Sequence, residues 1–184
     1  MKKSIIYLTG FMAAGKSTVG PILANTIGWD FLDIDRVIEK KAGKKITEIF
    51  SDQGEEYFRL LENTTLKELS ILRNYIIALG GGTIANDENL KIIKETGLLI
   101  YLKSSPETAY KRLRFKRDRP ALLFQGDDEP TREEYIQRID KLLQERRKYY
   151  EKSDYIIDTD LNPVGRTIDK IVSIIKRDII KNEN

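Results

Sequence analysis

Short apolar runs alternate with longer segments of helical period along this chain. Residues 5–8, 31–34, 75–79, 98–102 and 155–157 are apolar at almost every position rather than at every second one, the signature of strands covered on both faces. Between them, apolar positions recur at helical spacing and predict helices over 18–27, 35–41, 46–50, 55–72, 88–94, 106–113, 131–151 and 163–180. The alternation predicts an α/β sandwich with a mostly parallel sheet, because a right-handed crossover back to the same sheet needs a helix. In such folds ligands bind beyond the carboxyl ends of the strands. Three interruptions of the pattern therefore matter: the doubled helical segment 35–72, the run Gly80-Gly81-Gly82, and the polar stretch 116–130.

The first strand runs directly into Gly10-Phe11-Met12-Ala13-Ala14-Gly15-Lys16-Ser17-Thr18, which fits the phosphate-loop pattern G-x-x-x-x-G-K-[ST] in the strand, loop, helix order that the pattern requires. Its glycines let the backbone curl so that the amides from Ala13, Ala14 and Gly15 through Lys16, Ser17 and Thr18 face a polyphosphate, and the following helix adds the positive end of its dipole. ATP or GTP is the predicted ligand. Lys16 is assigned to the β- and γ-phosphates and Ser17 to a magnesium ion.

At the end of the second strand stands Asp33-Ile34-Asp35. Read as strand, the two carboxylates share one side, Asp33 serving the ion bound by Ser17 and Asp35 an acceptor hydroxyl, as positioning group or base. Read as a helix start, both are capping groups. Arg59 and Glu62, at i and i+3, form either a plain surface pair or a guanidinium held ready for an anion. The triple glycine is either a close approach of backbone to ligand or a turn.

Composition narrows the choice. The chain has 184 residues, and 32 Lys and Arg face 29 Asp and Glu, so no strong field points to a nucleic-acid partner. There is no cysteine and no histidine. Disulfides, thiolate catalysis and cysteine-bound zinc are thereby excluded, and proton transfer falls to a carboxylate, lysine, tyrosine or water. The apolar stretch before the glycine loop is too short for a signal peptide or membrane helix, so a soluble cytoplasmic protein is expected, a monomer by default. An Asn-Lys-x-Asp guanine signal is missing, and an ATPase motor needs a larger sheet, which leaves a small-molecule kinase.

The chain closely resembles shikimate kinases along nearly its whole length. The resemblance rests on Gly15-Lys16-Ser17-Thr18, Asp33-x-Asp35, Ile49-Phe50 with Gly54-Glu55, Phe58-Arg59-x-x-Glu62, Gly80-Gly81-Gly82, Arg119-Pro120, and Arg146 with Tyr150. It implies a three-layer α/β sandwich with a five-stranded parallel sheet of the P-loop nucleoside-monophosphate-kinase type, in one domain over residues 1–184. An acceptor-binding insertion at about 35–72 and a lid at about 112–130 would belong to that domain. The implied reaction moves the γ-phosphoryl of ATP to the 3-hydroxyl of shikimate with Mg2+, Lys16, Asp35 and Arg119 being catalytic. Shikimate would meet Asp35 through its hydroxyls, Arg59 and Arg146 through its carboxylate, and the backbone of Gly80, Gly81 and Gly82. Phe50 and Phe58 would cover its carbons, and Glu62 would steer Arg59. Arg119 matches the lid arginine that touches phosphate, Arg112 the adenine-stacking position, and the loop ending in Pro163 the segment that holds the base.

Three positions depart from the family pattern. Ala13 replaces a common glycine, and the loop is expected to close normally around it. Pro21 is expected to mark a helix start or a kink. Ala121 lengthens the lid by one residue. A related kinase, such as a gluconate kinase, and a nucleotide-binding module without turnover that uses the basic lid for RNA are the competing readings.

Overall fold

The computed structural model describes residues 4–114 and 131–180. The elements run β1 (Ile5–Thr9), α1 (Lys16–Ile27), β2 (Asp30–Asp33), α2 (Ile34–Ala42), α3 (Ile46–Leu69), β3 (Tyr75–Ala78), α4 (Asp87–Thr96), β4 (Gly97–Lys103), α5 (Pro106–Leu113), α6 (Arg132–Tyr150), β5 (Tyr155–Asp158) and α7 (Val164–Ile175). A 3₁₀ turn at Thr83–Ala85 precedes α4, and a short π-helical stretch, Lys176–Ile180, follows α7.

All five strands are parallel, in the order β2-β3-β1-β4-β5. The apolar run of β1 is buried at all five positions, as a central strand covered on both faces must be. Its side chains alternate between two cores. Ile5 and Tyr7 join Ile77, Leu99 and Tyr101 against α2, α3 and α4. Ile6 and Leu8 join Ile76, Ile100 and Leu102 against α1 and α7.

Two local features differ from expectation. The second strand stops at Asp33, because the Asp33 carboxylate accepts the Asp35 amide at 3.1 Å and caps α2. Asp35 therefore lies in the first turn of a helix, not on the strand, and the shared side of the two carboxylates comes from this turn rather than from strand alternation. Helix α1 runs on through Pro21, which is exposed, instead of starting or breaking there. The missing amide removes only the bond to the Ser17 carbonyl.

The expected break between residues 50 and 55 is present inside α3, at Gly54, where φ is 80° and ψ 176°. Only glycine occupies that region readily. The C-terminal helix ends as α-helix at Ile175, short of the expected 180.

Candidate active site

Every loop that follows a strand opens onto the same end of the sheet. There the phosphate loop after β1, Asp33 at the end of β2, the triple glycine after β3, Arg112 on α5 and the loop after β5 surround one cavity of about 1230 Å³. This is the crevice that a parallel sheet leaves at its carboxyl edge.

On the nucleotide side, α1 begins without a side-chain cap and without an acidic residue in its first turn. By contrast, α2, α4, α5 and α6 are each capped by an Asp, Asn, Ser or Thr side chain. The positive dipole end of α1 is thus left facing the cavity, although the Thr18 amide turns back to the Gly15 carbonyl at 3.0 Å. Lys16 folds over the loop, its Nζ donating to the carbonyls of Gly10 at 2.7 Å and Phe11 at 3.2 Å. Ser17 Oγ donates to Asp33 Oδ2 at 3.3 Å, so one carboxylate caps α2 and faces the phosphate loop. Its capping and its site-facing role are not alternatives.

Ala13 is where the loop departs from expectation. Its φ is 62°, in the left-handed region, at about 1–2 kcal/mol for an L side chain. Arg112 helps hold this conformation, with Nη1 donating to the Ala13 carbonyl at 3.0 Å and Nη2 reaching the Thr159 carbonyl at 3.5 Å. Arg112 therefore ties the phosphate loop to the loop after β5. Pro163 precedes α7 as its cap residue, and its neighbours Asn162 and Val164, rather than Pro163 itself, line the cavity.

On the opposite side, the side chains of Asp35, Glu62, Thr83, Arg146 and Arg59 converge on the triple glycine. A Cβ on Gly80 would lie 3.0 Å from Asp35 Oδ1 and from Glu62 Oε1, one on Gly81 3.0 Å from Arg146 Nη1, and one on Gly82 3.0 Å from both terminal nitrogens of Arg59. A side chain at any of the three would crowd these groups, which would have to give by a few tenths of an ångström, so the loop is a close approach of backbone to site as well as a turn. Arg59 Nη1 donates to Glu62 Oε2 at 2.9 Å, while Nη2 and Nε donate to Glu55 Oε1 at 2.9 and 3.2 Å. Glu62 is only 1% exposed, so this pair is not the surface bridge its spacing allows. Burial pulls the Arg59 guanidinium down, but Glu62 and Glu55 outweigh it and hold it above its ordinary range. Phe50 and Phe58 pack with their rings tilted by 37° and centroids 4.8 Å apart, and the Arg59 guanidinium lies 5.3 Å from the centre of the Phe58 ring.

The arrangement offers an anion-binding loop at one end of a cavity and, at the other, two guanidinium groups beside a carboxylate. A model of the shikimate kinase family matches residues 12–176. The chain belongs to the shikimate kinase family. Its relatives include the shikimate kinase of Chlorobaculum parvum, 44% identical over 98% of this chain and 96% of that one. That of Chlorobaculum tepidum is 45% identical over 96% and 92%. A shikimate kinase from Acinetobacter baumannii, solved in complex with shikimate, superposes with a TM-score of 0.85 at 34% identity, covering 94% of this chain and 93% of that one. A gluconokinase from Sinorhizobium meliloti, at 14% identity and a TM-score of 0.60, shares the fold alone.

As a member of the shikimate kinase family, the chain is an ATP-dependent phosphotransferase with an alcohol acceptor. Of the residues singled out in the sequence, Lys16, Ser17, Asp33, Asp35, Arg59, Gly80, Gly81, Gly82, Arg112 and Arg146 all line the one cavity, with Ala13, Ala14, Gly15 and Thr18. Arg119 and the rest of segment 115–130, Ala121 included, lie outside the described residues. Sequence reasoning passed over Thr83, whose hydroxyl donates to Glu62 Oε1 at 2.6 Å, and named Glu55 only as part of the family pattern, without its pairing to Arg59. That pairing could have been found from the i,i+4 spacing. Thr83 left no signal beyond its place after the glycines.

Proposed function

We propose that the chain transfers the γ-phosphoryl group of ATP to the 3-hydroxyl of shikimate, giving ADP and shikimate 3-phosphate. One observation carries the substrate assignment: Arg59 and Arg146 both reach the glycine loop within 3.0 Å of the place a Cβ would take, with Asp35 beside them, in the cavity that begins at the phosphate loop. Two planar guanidinium forks match a carboxylate, and an ionised carboxylate matches ring hydroxyls.

In the reaction the acceptor oxygen bonds to the γ-phosphorus, the bond from that phosphorus to the β,γ-bridging oxygen breaks, and its electron pair leaves with ADP. Asp35 orients the hydroxyl and takes its proton, a task that demands little base strength when the transferring phosphoryl is loosely bonded. Lys16 leaves the carbonyls of its own loop to meet the β- and γ-phosphates. Arg112 sits between the phosphate loop and the base-binding side. Arg119 is assigned to the phosphates from the lid, where exclusion of water keeps ATP from simple hydrolysis.

Ser17 Oγ and Asp33 Oδ2, 3.3 Å apart, are the oxygen pair that suits Mg2+. No group of three or more His, Cys, Asp or Glu able to hold a metal occurs among the described residues. That fits an ion carried mainly by phosphate and water, with few protein oxygens. When bound it neutralises charge on the β- and γ-oxygens.

The enzyme is taken to work as a cytoplasmic monomer on small molecules, with neither nucleic acid nor membrane as partner. No helix among the described residues is long and apolar enough to cross a membrane. Phosphorus NMR of a reaction holding only protein, ATP, Mg2+ and shikimate tests the reaction. A phosphomonoester on the 3-oxygen with equimolar ADP is expected, and inorganic phosphate alone would contradict it.

A further inference from the structure

The acceptor side relies on two arginines, and the glycines between them have no side chains with which to hold either. Two buried hydroxyls occupy that role. Tyr150, the last residue of α6, is 1% exposed, and its ring stacks on Tyr101 at 4.6 Å and 12°. Its O–H donates to the Gly81 carbonyl at 2.8 Å, and its oxygen takes a hydrogen bond from Arg146. Thr83, with no exposed surface, donates to Glu62 Oε1 at 2.6 Å, which leaves Oε2 to Arg59 at 2.9 Å.

Both hydroxyls are themselves fixed. Thr83 is held through its carbonyl by Asn89 Nδ2 at 2.9 Å, and Asn89 Oδ1 accepts from Asn63 of α3 at 2.8 Å. Burial pushes the Tyr150 phenol up against the pull of Arg146, so the proton it donates to Gly81 stays in place at neutral pH. Neither Thr83 nor Tyr150 lines the cavity. They act on a ligand only through the arginines and the glycine loop.

We propose that Tyr150 and Thr83 are positioning residues for the acceptor clamp, each fixing one arginine relative to the glycine loop through a buried hydroxyl. The inference rests on the reading that this clamp takes the carboxylate of shikimate. An arginine free to sample its rotamers loses that freedom when it binds a carboxylate, whereas one already tethered loses less, so acceptor affinity is what the hydroxyls raise.

The test uses the full chain and two shape-conserving substitutions, Tyr150→Phe and Thr83→Val. Loss of one hydrogen bond in a chain that ends on a charged group predicts an acceptor KM higher by about tenfold, with the ATP KM changed by less than about twofold. Thr83→Ser, which keeps the hydroxyl, restores the wild-type value. Calorimetric titration with shikimate shows the same loss without turnover. Wild-type acceptor KM in the folded variants overturns the proposal, as does a parallel rise in both KM values. Should Thr83→Val fail to fold, Tyr150→Phe decides by the same split. Wild-type turnover is read first: its absence with shikimate removes the substrate assignment and this inference together, while normal wild-type turnover with unaffected variants removes the inference alone.

Discussion

Ala13 shows how a single residue sets a cost that its neighbours then offset. Its left-handed backbone is strained, and the hydrogen bond from Arg112 to its carbonyl holds the loop closed regardless. Ala13→Gly relieves the strain but gives the unfolded chain more conformational entropy to lose, so the variant is expected to be more stable by only about 0.5–1 kcal/mol, visible as a higher Tm in thermal denaturation. An unchanged or lower Tm would show that the bend is not strained. Asp35→Asn keeps the shape and removes the charge. A fall in kcat of about 10²- to 10⁴-fold is expected in steady-state assays, with acceptor binding partly retained. Arg59→Lys keeps a cation for buried Glu62 but gives up the planar fork, and should raise the acceptor KM while leaving that of ATP in place. The residues in these predictions were legible because their chemistry is written locally, in a glycine loop or an i,i+3 pair. What joins them was not: Thr83 meets Glu62 across 21 residues, and Arg112 meets Ala13 across 99. No periodicity reports contacts of that range, and the φ of a non-glycine residue leaves no mark in the sequence.

At the scale of elements, all five strands and the helices around them followed from apolar periodicity, because strands covered on both faces cannot conceal their composition. Boundaries followed less well. Asp33-Ile34-Asp35 reads equally as strand or cap, and a side-chain hydrogen bond decides it. The break in α3 was legible from Gly54, and its geometry makes a prediction. A side chain there would meet nothing within 4 Å, so any cost of Gly54→Ala comes from the backbone. A loss of about 1–3 kcal/mol is expected, together with a weaker acceptor KM as Glu55, Arg59 and Glu62 shift relative to Phe50. The two central strands carry a second test. Burial pushes the hydroxyl of Tyr7 on β1 up to about 12, Thr96 pulling the other way, and burial likewise raises Tyr101 on β4 to about 12, both from 10.0. A folded-state pKa above the unfolded one means that the unfolded chain loses these protons first. The stabilising contribution is therefore full below pH 10 and is lost as the pH rises towards about 12, at about 1.4 kcal/mol per pH unit for each group. Chemical denaturation across this range should show a shallower decline for Tyr7→Phe than for wild type.

For the whole molecule, the strand order β2-β3-β1-β4-β5 brings the loops after five strands to one rim, which is how residues spread from Ala13 to Asn162 come to share a cavity. The distant gluconokinase shares this fold alone, and a fold does not by itself choose the acceptor, so specificity is sought in the side chains of the cavity rather than in the sheet. The central claim is that a phosphate loop faces a clamp built for a hydroxylated carboxylic acid. The most direct measurement of it is a coupled ADP-release assay of the purified chain with ATP and, in turn, shikimate, gluconate and AMP as acceptor. The account predicts a kcat/KM for shikimate far above the other two, and preference for gluconate or AMP would contradict it.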